Sequence, residues 1–172
     1  MAEKDGSLPP PRFETPPRVL IVAAPFYRAI ADQLIAGAAA VLDACGAQRE
    51  TIEVPGALEI AAAIRLAERR YEAFVALGCV IRGETTHYET VCEESARGLT
   101  LLGVERGLCI GNGVLTCETR EQAERRADPS EMDKGGGAAF AALHLCALAR
   151  RFAEGPLSRG DTLYAGGATA SA

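Results

Sequence analysis

Ala73-Phe74-Val75-Ala76-Leu77-Gly78-Cys79-Val80-Ile81-Arg82-Gly83-Glu84-Thr85-Thr86-His87-Tyr88-Glu89 is the stretch whose reading decides the fold. Its first half, Ala73–Ile81, is almost wholly apolar and carries no charge. That predicts a strand buried on both faces, since a half-exposed strand would alternate. Polar residues then begin abruptly. Thr86 and Glu89 have the S/T-x-x-E spacing of a capping box, so a helix is expected to open at Thr86 and run to Leu102. Gly83, just before it, lets the backbone bend and lets a ligand come close. A buried strand that turns sharply into a helix is the repeating unit of parallel α/β sheets.

The same unit recurs on either side. Arg18–Ala24 is a short run rich in Val, Leu and Ile, and Tyr27–Cys45 places Ile30, Leu34, Ala38, Val41 and Leu42 at helical spacing before Gly46. Thr51–Val54 reads as a strand broken by Pro55-Gly56, and Ala57–Arg70 as a helix with Leu58, Ile60, Ala61, Ile64 and Leu66. Downstream, Leu108–Val114 is a fourth strand. Thr119–Gln122 fits a capping box for a short charged helix that ends at Asp128-Pro129, and Lys134–Phe152 is a long Ala-rich helix. The expectation is a three-layer αβα domain over residues 18–154, with a four-stranded parallel sheet of flavodoxin-like kind. A strand from the N-terminal arm is a possible addition to it. Residues 1–17 hold five of the nine prolines and read as a flexible arm; the Gly-, Ala- and Ser-rich residues 155–172 read as a disordered tail.

Composition narrows the function classes. With 172 residues, 48% of them apolar, one sizeable core is affordable, and with aromatics at only 5% it must be built of Ala, Val, Leu and Ile. A net charge of -5 argues against a nucleic-acid surface but leaves room for local arginines that bind a small anion. The arm has no apolar h-region, and no run approaches the roughly 18 apolar residues of a membrane helix. Cys45, Cys79, Cys92, Cys109, Cys117 and Cys146 show no C-x-x-C or zinc-type spacing and fall mostly in apolar segments. A reducing cytoplasm is the simplest setting.

In such sheets ligands collect beyond the carboxyl ends of the strands, which points to Pro25-Phe26, Pro55-Gly56-Ala57, Val80–Thr86 and Asn112-Gly113. The amides of the helix turn after Gly83, with the positive end of the helix dipole, suit a phosphate, and the Thr85 and Thr86 hydroxyls add donors. A plain, well-capped turn fits the same residues equally well. His87 stands in that turn and can exchange protons near pH 7, whereas His144, inside the last helix, reads as a packing or surface residue. At the second edge the Ala57 and Leu58 amides are available to a carbonyl-bearing ring. Glu59 there can accept from hydroxyls, although on residues alone it reads first as a complement to the helix dipole. Phe26 is placed to stack on a ring, and a core role is the commoner fate of a Phe. Glu121 and Arg125, at i, i+4, read as a solvated pair; Arg126 and Lys134 are left as candidate cations.

Taken together, Val54-Pro55-Gly56-Ala57-Leu58-Glu59-Ile60, the Gly78–His87 segment, Gly113-Val114-Leu115-Thr116 and Gln122-Ala123 through Arg126 to Lys134-Gly135 resemble the lumazine synthase family over about Arg18–Phe152. The resemblance implies condensation of 5-amino-6-(D-ribitylamino)uracil with 3,4-dihydroxy-2-butanone 4-phosphate, releasing phosphate and water, without a metal or redox cofactor. It implies that Phe26 stacks on the pyrimidine, and that Ala57, Leu58 and Glu59 hold ring and ribityl chain with the backbone of Cys79, Val80 and Ile81. Glu84 and Thr85 line the phosphate end with Arg126, His87 transfers protons, and Lys134 lies near the site. Asn112, Arg126 and Lys134 are expected to reach the pocket from a neighbouring subunit, so a homopentamer is implied, with a decamer or a 60-subunit shell as larger forms. The Asp128–Asp133 turn lacks the Gly-rich form of shell-building relatives and favours the isolated pentamer. Glu84 stands where a small residue is common, so only its N–H should serve a phosphate; Leu58 and Asn112 stand where aromatics are frequent. A riboflavin synthase of the same fold, or a non-catalytic flavin- or lumazine-binding protein, are the alternatives. A binder needs neither proton shuttle nor phosphate clamp, which favours catalysis.

Overall fold

A computed structural model describes residues 8–155. Four strands, β1 (Arg18–Ala23), β2 (Gln48–Glu53), β3 (Ala73–Ile81) and β4 (Cys109–Cys117), alternate with α1 (Arg28–Ala44), α2 (Ala57–Ala67) and α3 (His87–Arg106); α4 (Arg120–Ala127) and α5 (Lys134–Ala153) follow. The sheet order is β2-β1-β3-β4 and every pairing is parallel, with Val19 opposite Ala73 and Ala73 opposite Cys109. Among the described residues no helix is long and apolar enough to cross a membrane. Residues 8–17 add no strand to this sheet. They pass beside α5, where Arg150 donates to the Thr15 carbonyl at 2.7 Å and lies over the Phe13 ring.

The strand pleat sorts the core into two layers. Val19, Ile21, Ala23, Val75 and Leu77 point to one face, where Ile30, Leu34, Ala38 and Leu42 of α1, Ala123 and Ala127 of α4, and Ala139, Ala142 and Leu143 of α5 cover them. Leu20, Val22, Phe74 and Ala76 point to the other, against Ile60 and Ile64 of α2 and Leu99 of α3. Only Ile60 and Ile64 are buried in α2. At about 2–3 kcal/mol for each fully buried aliphatic side chain, these two anchor that helix and so set where its N-terminus points. His144 is buried in α5 with its ring tilted on Phe140.

β4 shows how closely α5 approaches. A Cβ on Gly111 would lie 1.8 Å from the Ala138 carbonyl oxygen, so only glycine permits this crossing. Asp133 caps α5 from the left-handed region (φ 42°), its Oδ1 accepting from the Gly136 N–H at 2.9 Å.

Several expectations need correction. β2 is not covered on both faces: all six of its residues, the mostly polar Gln48–Glu53, are exposed at one edge of the sheet. It also starts earlier, at Gln48, since pairing with Arg18 rather than hydrophobicity sets its length. β4 runs on to Cys117 alongside β3. α2 stops at Ala67. α3 passes Leu102 and ends at Gly107, whose left-handed φ of 67° lets its N–H reach the Gly103 carbonyl. The capping box at Thr86 does not form: Thr86 makes no side-chain cap bond, and the Glu89 carboxylate is taken by Arg82. At α4 the Thr119 hydroxyl does accept from the Gln122 N–H, but the Gln122 side chain returns to the Glu118 N–H, one residue earlier than a box requires. Glu121 and Arg125 do not pair; Arg125 reaches Glu131 at 3.0 Å across the following turn.

Candidate active site

The chain leaves β2 and crosses over β1 to build β3, so β1 and β3 adjoin at the point where the winding direction reverses. A crevice opens there beyond the carboxyl ends of the strands. It is a cavity of about 450 Å³, and its lining joins Phe26, Ala57, Leu58, Glu59, Cys79, Val80, Ile81, Thr85 and His87. Three of the predicted edges therefore meet in one place.

Each wall has a local cause. Phe26 follows β1 and is 75% exposed, held edge-to-face against Tyr27 with ring centres 5.1 Å apart. An aromatic left that open at a cavity rim offers its face to another ring. Gly56 opens α2 in extended conformation with no side-chain cap, leaving the Ala57 and Leu58 amides pointing out of the first turn. Glu59 bends back over that turn: a Cβ on Gly56 would lie 2.9 Å from its Oε2. The end of β3 supplies backbone from Cys79, Val80 and Ile81. Burial pushes the Cys79 thiol up to about 12, so it stays neutral and is no nucleophile.

The floor is the turn 83–87 and the first turn of α3. Thr86 precedes the helix without a side-chain cap, and the one side-chain contact within the turn is the His87 N–H to Thr85 Oγ1 at 3.4 Å. The amide groups of this helix start remain available to an anion. Arg82, at the head of the turn, is held between Glu118 and Glu89, which keep its guanidinium above its ordinary value, while Arg82 holds the Glu89 carboxyl below the usual carboxylate range. Glu84 is exposed and outside the cavity lining.

The fourth edge does not join the other three. Asn112, Arg126 and Lys134 line a separate cavity, also about 460 Å³, together with Gly113, Val114, Leu115 and Thr116 of β4 and the start of α5. Arg126 donates Nη1 to the Gln122 carbonyl at 3.1 Å. Asn112 is exposed, and its Oδ1 accepts from the Val114 N–H at 2.9 Å. One cavity thus has amides, an imidazole and an aromatic face but no Lys or Arg among its lining residues, and the other has two cations without the turn. Among the described residues, the turn with His87 and the cations Arg126 and Lys134 therefore line different cavities.

Sequence reasoning missed Tyr27, Tyr88 and Val91, which also line the first cavity. Tyr27 adjoins Phe26, and Tyr88 and Val91 share a face of α3 at i, i+3, so helical spacing from His87 was the available signal.

Residues 16–150 match the family model described as 6,7-dimethyl-8-ribityllumazine synthase. A protein of that name from Jannaschia sp. (strain CCS1) is 53% identical over 150 residues, covering 86% of this chain and 84% of the relative. One from Methylobacterium radiotolerans is 56% identical over 144 residues (83% and 87%), and one from Bartonella tribocorum 52% over 141 (80% and 93%).

Proposed function

The chain belongs to the 6,7-dimethyl-8-ribityllumazine synthase family, and from that premise we propose how its two cavities carry out the condensation. The activity is that of a transferase of riboflavin biosynthesis. It joins 5-amino-6-(D-ribitylamino)uracil to 3,4-dihydroxy-2-butanone 4-phosphate with loss of phosphate and water.

The pyrimidine lies against Phe26, its carbonyl groups taking N–H donors from Ala57, Leu58 and the end of β3 at Cys79, Val80 and Ile81. Glu59 accepts from the ribityl hydroxyls. The four-carbon substrate sets its phosphate on the amides of the 83–87 turn, with the Thr85 hydroxyl and the backbone of Glu84 completing the cradle. The pyrimidine amine then attacks the ketone carbonyl. A proton must leave the nitrogen and another must reach the departing oxygen, and His87, beside the cradle, is the group suited to move both. Phosphate leaves as its C–O bond breaks while a proton is lost from the neighbouring carbon, a departure eased by the amides and by a cation that neutralises the developing charge. The ribityl-bearing nitrogen then closes the second ring on the carbonyl so formed, with loss of a second water.

That cation is what a single chain lacks in this cavity, and the separation is the observation that carries the reading. Arg126 and Lys134, with Asn112, complete the pocket of an adjacent copy, so the working form is a closed ring, and the family resemblance makes that ring a homopentamer. The exposed Leu66, Leu101 and Val104 on the α2–α3 layer support burial between copies. Six free thiols support a cytoplasmic setting. Purified protein mixed with both substrates should generate lumazine absorbance. No product from the pair, or product only from two lumazines, would overturn the assignment.

A further inference from the structure

Arg82 is a charged residue beside the site that neither cavity uses. Its N–H bonds the Cys117 carbonyl at 2.9 Å, extending the β3–β4 ladder by one residue. Its Nε donates to Glu118 Oε2 at 2.5 Å, its Nη1 donates to Glu89 Oε1, and its Cζ sits 4.2 Å from the centre of the Tyr88 ring. Two carboxylates already occupy this one cation, so it is not a free ligand for a substrate phosphate. What matters is what it spans.

Between Arg82 and its partners Tyr88 and Glu89 lie residues 83–87, the turn that offers its amides to the phosphate. That turn has little of its own to hold it. Thr86 makes no cap bond, the Thr85–His87 contact is 3.4 Å, and the first helical bond, from the Thr90 N–H to the Thr86 carbonyl, is also 3.4 Å. The guanidinium closes both ends of the turn. Its second branch leads elsewhere: the Glu118 N–H donates to Gln122 Oε1 at 3.0 Å, and Arg126 Nη1 donates to the Gln122 carbonyl at 3.1 Å. A hydrogen-bonded path thus runs from the turn of one cavity to the cation of the other.

We propose that Arg82 is a positioning residue for the phosphorylated substrate: it clamps the 83–87 turn and, through Glu118 and Gln122, aligns Arg126, without touching substrate itself. The inference rests on the phosphate reading of the turn. Lys cannot replace it, because an ammonium lacks the planar fork that serves two carboxylates and stacks on a ring.

The test measures kcat and both KM values for wild type, Arg82→Met, Arg82→Lys and Glu118→Gln, alone and with Arg126→Ala. Arg82→Met should raise KM for the butanone phosphate roughly tenfold, as a small misplacement of a positioning group can, with the pyrimidine KM little changed. Arg82→Lys should fall close to Met; full recovery would mean that charge alone suffices and would overturn the clamp. Glu118→Gln should raise the same KM less, and not at all in the Arg126→Ala background. Exposed ion pairs contribute little to folding, and if Arg82→Met fails to fold, Glu118→Gln carries the test. Equal changes in both KM values, or none, overturn the inference alone; wild type that forms no lumazine removes the functional reading as well.

Discussion

Coexpressing His87→Ala and Arg126→Ala chains tests whether the pocket is divided between copies. Each variant alone should be nearly inactive at low substrate. Loss of a general acid–base residue costs about 10²–10⁴-fold, and loss of a cation at the phosphate costs about tenfold or more. In one chain His87 and Arg126 line different cavities, and under the proposed division a working pocket takes His87 from one copy and Arg126 from the next. In a ring assembled at random from equal amounts, half the copies keep His87 and half of their neighbours keep Arg126. The intact fraction is about one quarter whatever the ring size. A threefold excess of either chain lowers it to about one fifth, so recovery should peak at equal mixing. Lumazine absorbance, followed with both substrates well below KM, reads this directly. Activity that stays at the sum of the separate variants across all ratios would show that the pocket lies within one chain.

Arg126→Ala by itself should raise KM for the butanone phosphate far more than for the pyrimidine, and equal effects in steady-state kinetics would remove its phosphate role. His87→Ala should lower kcat with binding of both substrates retained, and unchanged turnover would take His87 out of the mechanism. Gly111→Ala should destabilise the fold, since its methyl would stand 1.8 Å from the Ala138 carbonyl oxygen. Overpacking costs about 1–3 kcal/mol, or roughly 2–12 °C in the thermal midpoint for a chain of this size. Gly103→Ala, whose Cβ meets nothing nearer than 3.8 Å, should instead hold stability or raise it by up to about 1 kcal/mol of helix propensity, or about 2–4 °C in the midpoint. Scanning calorimetry that gives the two variants the same midpoint would contradict the packing argument.

The parts of this fold that were legible are those where one local cause dominates. Ala73–Ile81 is apolar throughout because helices cover both its faces, and β3 matches the expected span residue for residue. β2 was blurred because its length comes from hydrogen bonds to β1, with no burial to mark Gln48–Glu50. The end of α3 was blurred because Gly103 resembles a stop, whereas a glycine inside a helix costs only about 1 kcal/mol and the true stop is the left-handed Gly107. The failed box at Thr86 has a tertiary cause: Glu89 meets a guanidinium from seven residues earlier in the chain, a stronger partner than a backbone amide. Spacing and the rule for strand ends gathered Phe26, Ala57, Leu58, Glu59, Val80, Ile81, Thr85 and His87, and the family resemblance added Cys79. No spacing argument could show that Asn112, Arg126 and Lys134 lie in a different cavity of the same chain, since that depends on where α4 and α5 dock.

A crystal structure with a phosphonate analogue of the four-carbon substrate bears most directly on the whole account. The phosphonate oxygens should accept from the N–H groups of the 83–87 turn, with the His87 ring facing the carbon chain and an Arg126 guanidinium of an adjoining copy completing the shell. An analogue seated away from that turn, or an imidazole rotated off it, would contradict the account.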